Sequence, residues 1–195
     1  MNSPHSATKS RGRPRSEDVD RGILEAVLDA IANGGIAAVS IEGVATRAGV
    51  GKASIYRRFD SKEELIVAAL IHMREQSPRV PVTGSARERL VALLEGLRTN
   101  MSGTREGRIM LAVMSSGQDN PDLAKLVYER IVVRRRAVLR SLIEEGIASG
   151  EFSKSIDSDV VIPTFVGSMI YLGMWSTVET ASAASTEEIV DMVLG

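Results

Sequence analysis

The sequence predicts an all-α protein, and three observations carry that expectation. Apolar residues recur at intervals of three and four along most of the 195-residue chain, which is the period of a helix. No segment alternates apolar and polar residues as a half-buried strand would. Where the periodic runs break, residues that start or stop helices stand: Ser40, Gly49, Ser61 and Asn120-Pro121.

Residues 1–15 are polar and rich in Ser, Pro and Arg, and read as a flexible basic arm. Val19, Ile23, Ala26, Val27, Ala30 and Ile31 then mark a first helix. Ser16 is its expected N-cap, with Glu17 and Asp18 near the positive helix end, and the run "NGG" at 33–35 ends it. Ser40 opens a short second helix with an apolar stripe of Ile41, Val44, Ala45 and Ala48, which Gly49 stops. Residues 52–58 form a third, with Val50, Ile55 and Phe59 inward. Ser61 caps a fourth, and Glu64 completes the pattern of a capping box. That helix runs to about Glu75.

The stretch "SPRVPVTGS" at 77–85 is a connector of Pro, Gly and Ser. It divides the chain into an arm (1–15), a first domain with its linking helix (16–76) and a second domain (77–195). The second domain also reads as helical. Leu90, Leu93, Leu94 and Leu97 mark one helix and residues 109–114 part of another. Asn120 as N-cap and Pro121 at the first helical position start a long one, reaching about Ala148. Its apolar positions include Leu123, Val127, Ile131, Val138, Leu142 and Ile143. Asp157 or Ser158 starts another to about Val178, where Pro163 introduces a kink if it lies inside, and residues 186–194 form a short last helix.

Composition narrows the function. With 4% aromatic residues and eight Met, the core is aliphatic. No cysteine is present, which removes disulfides, thiolate metal sites and cysteine nucleophiles. His5 and His72 alone do not make a metal site, and Glu144 and Glu145 sit in a solvated helical pattern, so neither a metal, a cofactor nor catalysis is expected. The start has no apolar run, and no stretch reaches the ~18 uncharged apolar residues of a membrane helix. A soluble cytoplasmic protein with no membrane partner is the expectation.

Net charge is −1 but unevenly spread. Residues 1–62 hold ten Lys and Arg against seven Asp and Glu, whereas residues 81–195 hold twelve against fifteen. The excess concentrates at residues 9–15, with four basic and no acidic, and at 47–62, with five basic and one acidic. Two focused basic clusters point to a polyanion contact.

The second cluster contains "GVGKAS", which at first sight suggests a nucleotide-binding loop. That pattern requires a glycine at position 46 and a hydroxyl at 53, where Thr46 and Ala53 stand, and a preceding strand where a helix is expected. Two short helices joined by a glycine turn form a helix-turn-helix instead. Its second helix carries Lys52, Ser54, Tyr56 and Arg57 outward, and Gly51 leaves backbone N–H groups accessible to phosphate.

The spacing Ser40-Ile41-x-x-Val44-Ala45-x-x-Ala48-Gly49-Val50-x-x-x-x-Ile55-Tyr56-x-x-Phe59-x-x-Lys62-x-x-Leu65 resembles the DNA-binding domain of the tetracycline-repressor (TetR) family, over roughly residues 17–65. The resemblance implies a three-helix DNA-binding domain, and a fourth helix linking it to an antiparallel helical ligand-binding and dimerisation domain. It implies phosphate contacts from Ser40, Tyr56 and Lys62, a groove-facing set of Lys52, Ala53 and Ser54, and flanking contacts from Arg47 and Arg57. Many members carry Ser or Thr where this chain has Gly51, so Gly51 acts through its backbone only. The resemblance also implies a homodimer paired through its last two helices, a palindromic double-stranded DNA operator and a small-molecule effector of unknown identity.

Arg11, Arg13 and Arg15, in "RGRPR", resemble the core of an AT-hook and suit an A·T-rich minor groove. The alternative is a solubilising tail. In the second domain, Met101, Met110 and Met114 are candidates for lining an adaptable apolar pocket, against ordinary core filling. His72 is a candidate ligand sensor, against a structural role. Arg134, Arg135 and Arg136 lie on successive helix faces, so they form no single patch. The expected function is a DNA-binding transcriptional regulator, most simply a repressor released by ligand. The alternative is a ligand-independent regulator or activator with a filled second domain.

Overall fold

The structure is a computed structural model that describes residues 13–76, 83–176, 178 and 184–195, with side chains from Glu17 onward. The described residues contain helices and no strand. The first domain consists of α1 (Arg13–Gly34), α2 (Ile41–Ala48), α3 (Lys52–Tyr56) and the linking helix α4 (Lys62–Glu75). The second consists of α5 (Ala86–Met101), α6 (Arg105–Ser115), α7 (Pro121–Val127), α8 (Val133–Ser149), α9 (Ser158–Trp175) and α10 (Thr186–Leu194).

Several boundaries follow from local chemistry. The Ser40 side chain accepts from the Gly43 N–H at 3.1 Å and starts α2. Gly49, at φ 66°, ends it in the left-handed conformation that only glycine adopts freely. Full capping boxes open α5, with Ser85 and Glu88, and α10, with Ser185 and Glu188. The connector at 77–85 lies outside the described residues except for its last three.

Five expectations are corrected. Helix α1 begins at Arg13, so Ser16 lies within it rather than capping it. Pro14 allows this, because the first turn has no use for its missing N–H. Helix α3 stops at Tyr56, two residues early, with Arg57 at its C-cap. The Ser61 hydroxyl accepts from the Glu64 N–H at 3.0 Å. The Glu64 carboxylate, however, turns to Arg130 at 2.5 and 2.6 Å instead of closing the capping box. Asn120 starts α7 without a side-chain cap, its amide donating to the Ser116 carbonyl at 3.2 Å. The long helix from Pro121 is not uniform: a π-helical stretch, Tyr128–Val132, separates α7 from α8, and Val138 faces solvent.

Two apolar cores result. The first joins α1, α2, α3 and α4 to Ile109 and Val113 of α6, to Leu123 and to Ile131. The second is built from α5, α8, α9 and α10 around Phe165 and Met169, both fully buried. Helices α5 and α9 approach so closely that a Cβ at Gly173 would lie 2.6 Å from the Arg98 carbonyl oxygen. Pro163 lies inside α9.

Candidate nucleic-acid interface

The tight turn Gly49-Val50-Gly51 folds α3 across the end of α2. Ile55 is fully buried and pins α3, while Lys52, Ala53, Tyr56 and Arg57 are exposed. Their spacing puts all four on the face opposite Ile55. Ser40 is exposed at the start of α2. Gly51 precedes α3 with no side-chain cap, and an added Cβ there would meet nothing within 4 Å. The missing hydroxyl at that position therefore has no steric cause.

Charges on this face are held by neighbours. The Lys52 ammonium sits 2.5 Å from the Glu42 carboxylate, with both side chains more than half exposed. Hydrogen bonding to Lys52 holds the Glu42 carboxyl below its usual value, and the same bond raises Lys52. The Arg47 guanidinium lies 3.2 Å from Asp29 of α1. Asp29 also accepts from Arg105 of α6 at 2.7 Å, and Arg105 reaches Glu25 at 3.0 Å. Burial pulls the Arg105 guanidinium down, but Asp29 and Glu25 outweigh it and the net shift is upward. A chain of charges thus runs from α6 of the second domain, through α1, to α2 of the reading head.

Ser54 differs from its expected role. It is half-buried, and its hydroxyl bonds the Arg58 guanidinium at 2.8 Å. Arg58 also donates to the Ser54 carbonyl at 2.9 Å and to the Asp20 carboxylate of α1. Arg58 is therefore a clamp that seats α3 on α1, and Ser54 belongs to the clamp. Lys62, the first residue of α4, is half-buried and has no hydrogen bond or ion pair among the described residues. It borders a cavity of about 360 Å³ between the turn at 34–37 and the end of α6, with Ser115 and Asn120 on the far side.

Other expected residues separate. Arg11 lies outside the described residues. Arg13 and Arg15 have helical backbone in the first turn of α1 rather than forming part of the arm, and their side chains lie outside the described residues. Met101 is buried in the second core, Met110 packs against both cores, and Met114 is 52% exposed, so the three do not converge on one pocket. His72 faces Gln76 at 2.7 Å and Glu25 at 3.4 Å, a bonded position at the domain junction. Among the described residues no group of three or more His, Asp or Glu could hold a metal ion. Sequence reasoning missed Glu42, Arg58 and Asp20. Asp20 and Arg58 are 38 positions apart, so no periodic signal joins them.

Comparison with known proteins agrees with this architecture. Residues 23–69 match the family of bacterial regulatory proteins called the tetR family. Residues 80–193 match the tetracyclin repressor-like C-terminal domain. The HTH-type transcriptional regulator YdeS of Bacillus subtilis (strain 168), itself uncharacterized, is 32% identical over 161 residues, covering 83% of this chain and 81% of YdeS. A Rhodococcus sp. protein described as a TetR-family transcriptional regulator superposes with a TM-score of 0.75 at 22% identity, over 92% of this chain and 100% of that one. FadR of Bacillus subtilis, solved in complex with stearoyl-CoA, gives 0.64 at 20% identity over 89% and 94% of the two chains. These relatives are transcriptional regulators, not enzymes. The chain belongs to the TetR family of DNA-binding transcriptional regulators.

Proposed function

We propose that the protein is a homodimeric repressor that leaves its operator when a small molecule binds the second domain. The observation that carries the reading is the outward face of α3, where Lys52, Ala53, Tyr56 and Arg57 stand exposed around a single buried anchor, Ile55. On this reading Lys52 exchanges Glu42 for DNA, and Ala53 meets a base edge or methyl in the major groove. Ser40, Arg47, Tyr56, Arg57 and Lys62 hold phosphates, and Gly51 offers backbone only.

One such head covers little DNA, and two heads read half-sites one turn or a multiple apart. The pairing surface has support in α9. It has a mean hydropathy of 1.2, enough by length and composition to cross a membrane, yet only 28% of it is buried within the chain. Val160, Tyr171, Met174 and Trp175 are exposed on it. Of the last two helices, α10 turns Glu187, Glu188 and Asp191 outward with Met192, so α9 supplies most of the interface. Val133 of α8 flanks it, on the face where Arg136 and Arg140 hold Asp159 at 3.0 and 2.5 Å.

That FadR was solved with stearoyl-CoA supports a ligand-responsive second domain here. The complete burial of Phe165 and Met169 favours the other reading, a regulator whose core is already filled. Selection of bound genomic fragments gives the operator. Lys62→Ala should then weaken binding across sequences and lower the salt slope by about one unit. An unchanged slope removes Lys62 from the phosphate contacts.

A further inference from the structure

The two cores meet where α4 passes α8, and the groups at that seam are charged. Arg74 continues the buried line of Val67 and Leu70 on α4. Arg135 stands between Ile131 and Leu139, both buried, in the middle of the inward stripe of its helix. Ile131 belongs to the first core and Leu139 to the second. Both arginines are half-buried, and neither has a hydrogen bond or ion pair among the described residues. Ten other arginines of the described chain each hold a carboxylate.

Burial pushes the Arg135 guanidinium down to about 10, and the charge of Arg74 adds to the fall. Burial also lowers Arg74, and no acidic group raises either. Both remain cationic at neutral pH. Two like charges, partly withdrawn from water with no counter-charge, oppose folding. An oxyanion between them would reverse the sign, because the guanidinium fork matches carboxylate and phosphate with paired hydrogen bonds.

We propose that Arg74 and Arg135 form an anion-binding site, in which the carboxylate or phosphate of a small organic molecule bridges α4 to α8. The site stands on its own geometry; its effect on DNA rests on the ligand-responsive reading above. Helix α4 begins at Lys62, beside the reading head, and ends just past Arg74. Near its start, Glu64 is already tied to Arg130 of the π-helical stretch at 2.5 and 2.6 Å. A bound anion adds a second tie near the other end, so α4 is fixed at two points and its freedom to follow DNA changes.

Thermal melting of the full-length protein tests the site, with octanoate, inorganic phosphate and neutral octanamide as probes. Octanoate or phosphate should raise the Tm with concentration, and which of the two acts separates a carboxylate ligand from a phosphate ligand. Octanamide should have no effect. Arg135→Met should melt above the wild type without any anion, since it removes the repulsion, and should lose the anion response. Arg135→Lys should keep the charge and bind about tenfold or more weakly, having lost the fork. The proposal is overturned if neither anion shifts the wild type, if Arg135→Met still responds, or if that variant melts below the wild type without anion. Octanoate binding with unchanged operator affinity upholds the site and removes the ligand-released reading. Release from the operator by some other molecule, with no response to either anion, removes the site and upholds that reading.

Discussion

The reading face and the α4–α8 seam are both rich in arginine and lysine, yet they treat positive charge in opposite ways. On the reading face Lys52 faces Glu42, Arg47 faces Asp29 and Arg58 faces Asp20. Each cation there has a carboxylate from another helix, and the exposed pairs can open cheaply because water solvates both partners. At the seam Arg74 and Arg135 face each other across apolar packing with no acid between them. A folded protein can release an exposed pair to a polyanion at little cost. It gains from an unpaired, half-buried pair only when something else brings the negative charge. The location of missing counter-charge therefore says more about ligand chemistry than the number of basic residues does.

The contrast can be broken by experiment. The largest effect should come from Leu139→Ala, next to Arg135. If the seam is a true core boundary, this change costs ~2–5 kcal/mol in chemical denaturation. A loss well under ~1 kcal/mol would mean that the flanks of Arg135 are loosely packed, and that its charge is not out of place. Arg58→Ala should come next. The Arg58 side chain is 26% exposed and bonds both α1 and its own helix, so a loss of ~1.5–3 kcal/mol is expected, together with weaker operator binding. Stability equal to the wild type would show that the clamp of α3 on α1 is dispensable.

Glu42→Gln should give the smallest effect, a few-fold tighter binding to DNA in a low-salt titration, because it frees Lys52 and removes a negative charge from the face. Its pH dependence has a definite sign. The Glu42 carboxyl is held below its ordinary value and Lys52 above. The pair is therefore intact through neutral pH, opens as acid titrates Glu42 through its lowered value, and opens in alkali only beyond the ordinary lysine range. Wild-type DNA binding should approach that of Glu42→Gln as the pH falls into the carboxylate range. A constant gap between the two would show that Glu42 does not compete for Lys52.

Much of the reading head was legible in the sequence because its determinants are local. Ser40 and Gly43 are three positions apart, and Gly49 carries its own backbone preference. Ile55 and Phe59 repeat at helical spacing. The limits of that legibility appear at Ser61 and Glu64. The capping-box pattern is present, yet Arg130, 66 positions away, takes the carboxylate. Ser54 carries the same lesson: its place on α3 suggested a base contact, and Arg58 with Asp20 made it part of a clamp. In the second domain the methionines share no short-range pattern, so their sequence positions could not say which would be buried together.

The sequence by itself determined the helices, the turn between α2 and α3, the family and the outward set of Lys52, Ala53, Tyr56 and Arg57. Caps, glycine turns and the 3.6-residue period act over three or four positions, and any reader of the chain can find them. Only the tertiary structure decided which carboxylate each cation meets. It also set apart Arg135 from Arg134 and Arg136, turning one inward with no partner, one to solvent and one to Asp159. Electrostatic pairing depends on distance in space and on the loss of water, and neither is written in the order of residues.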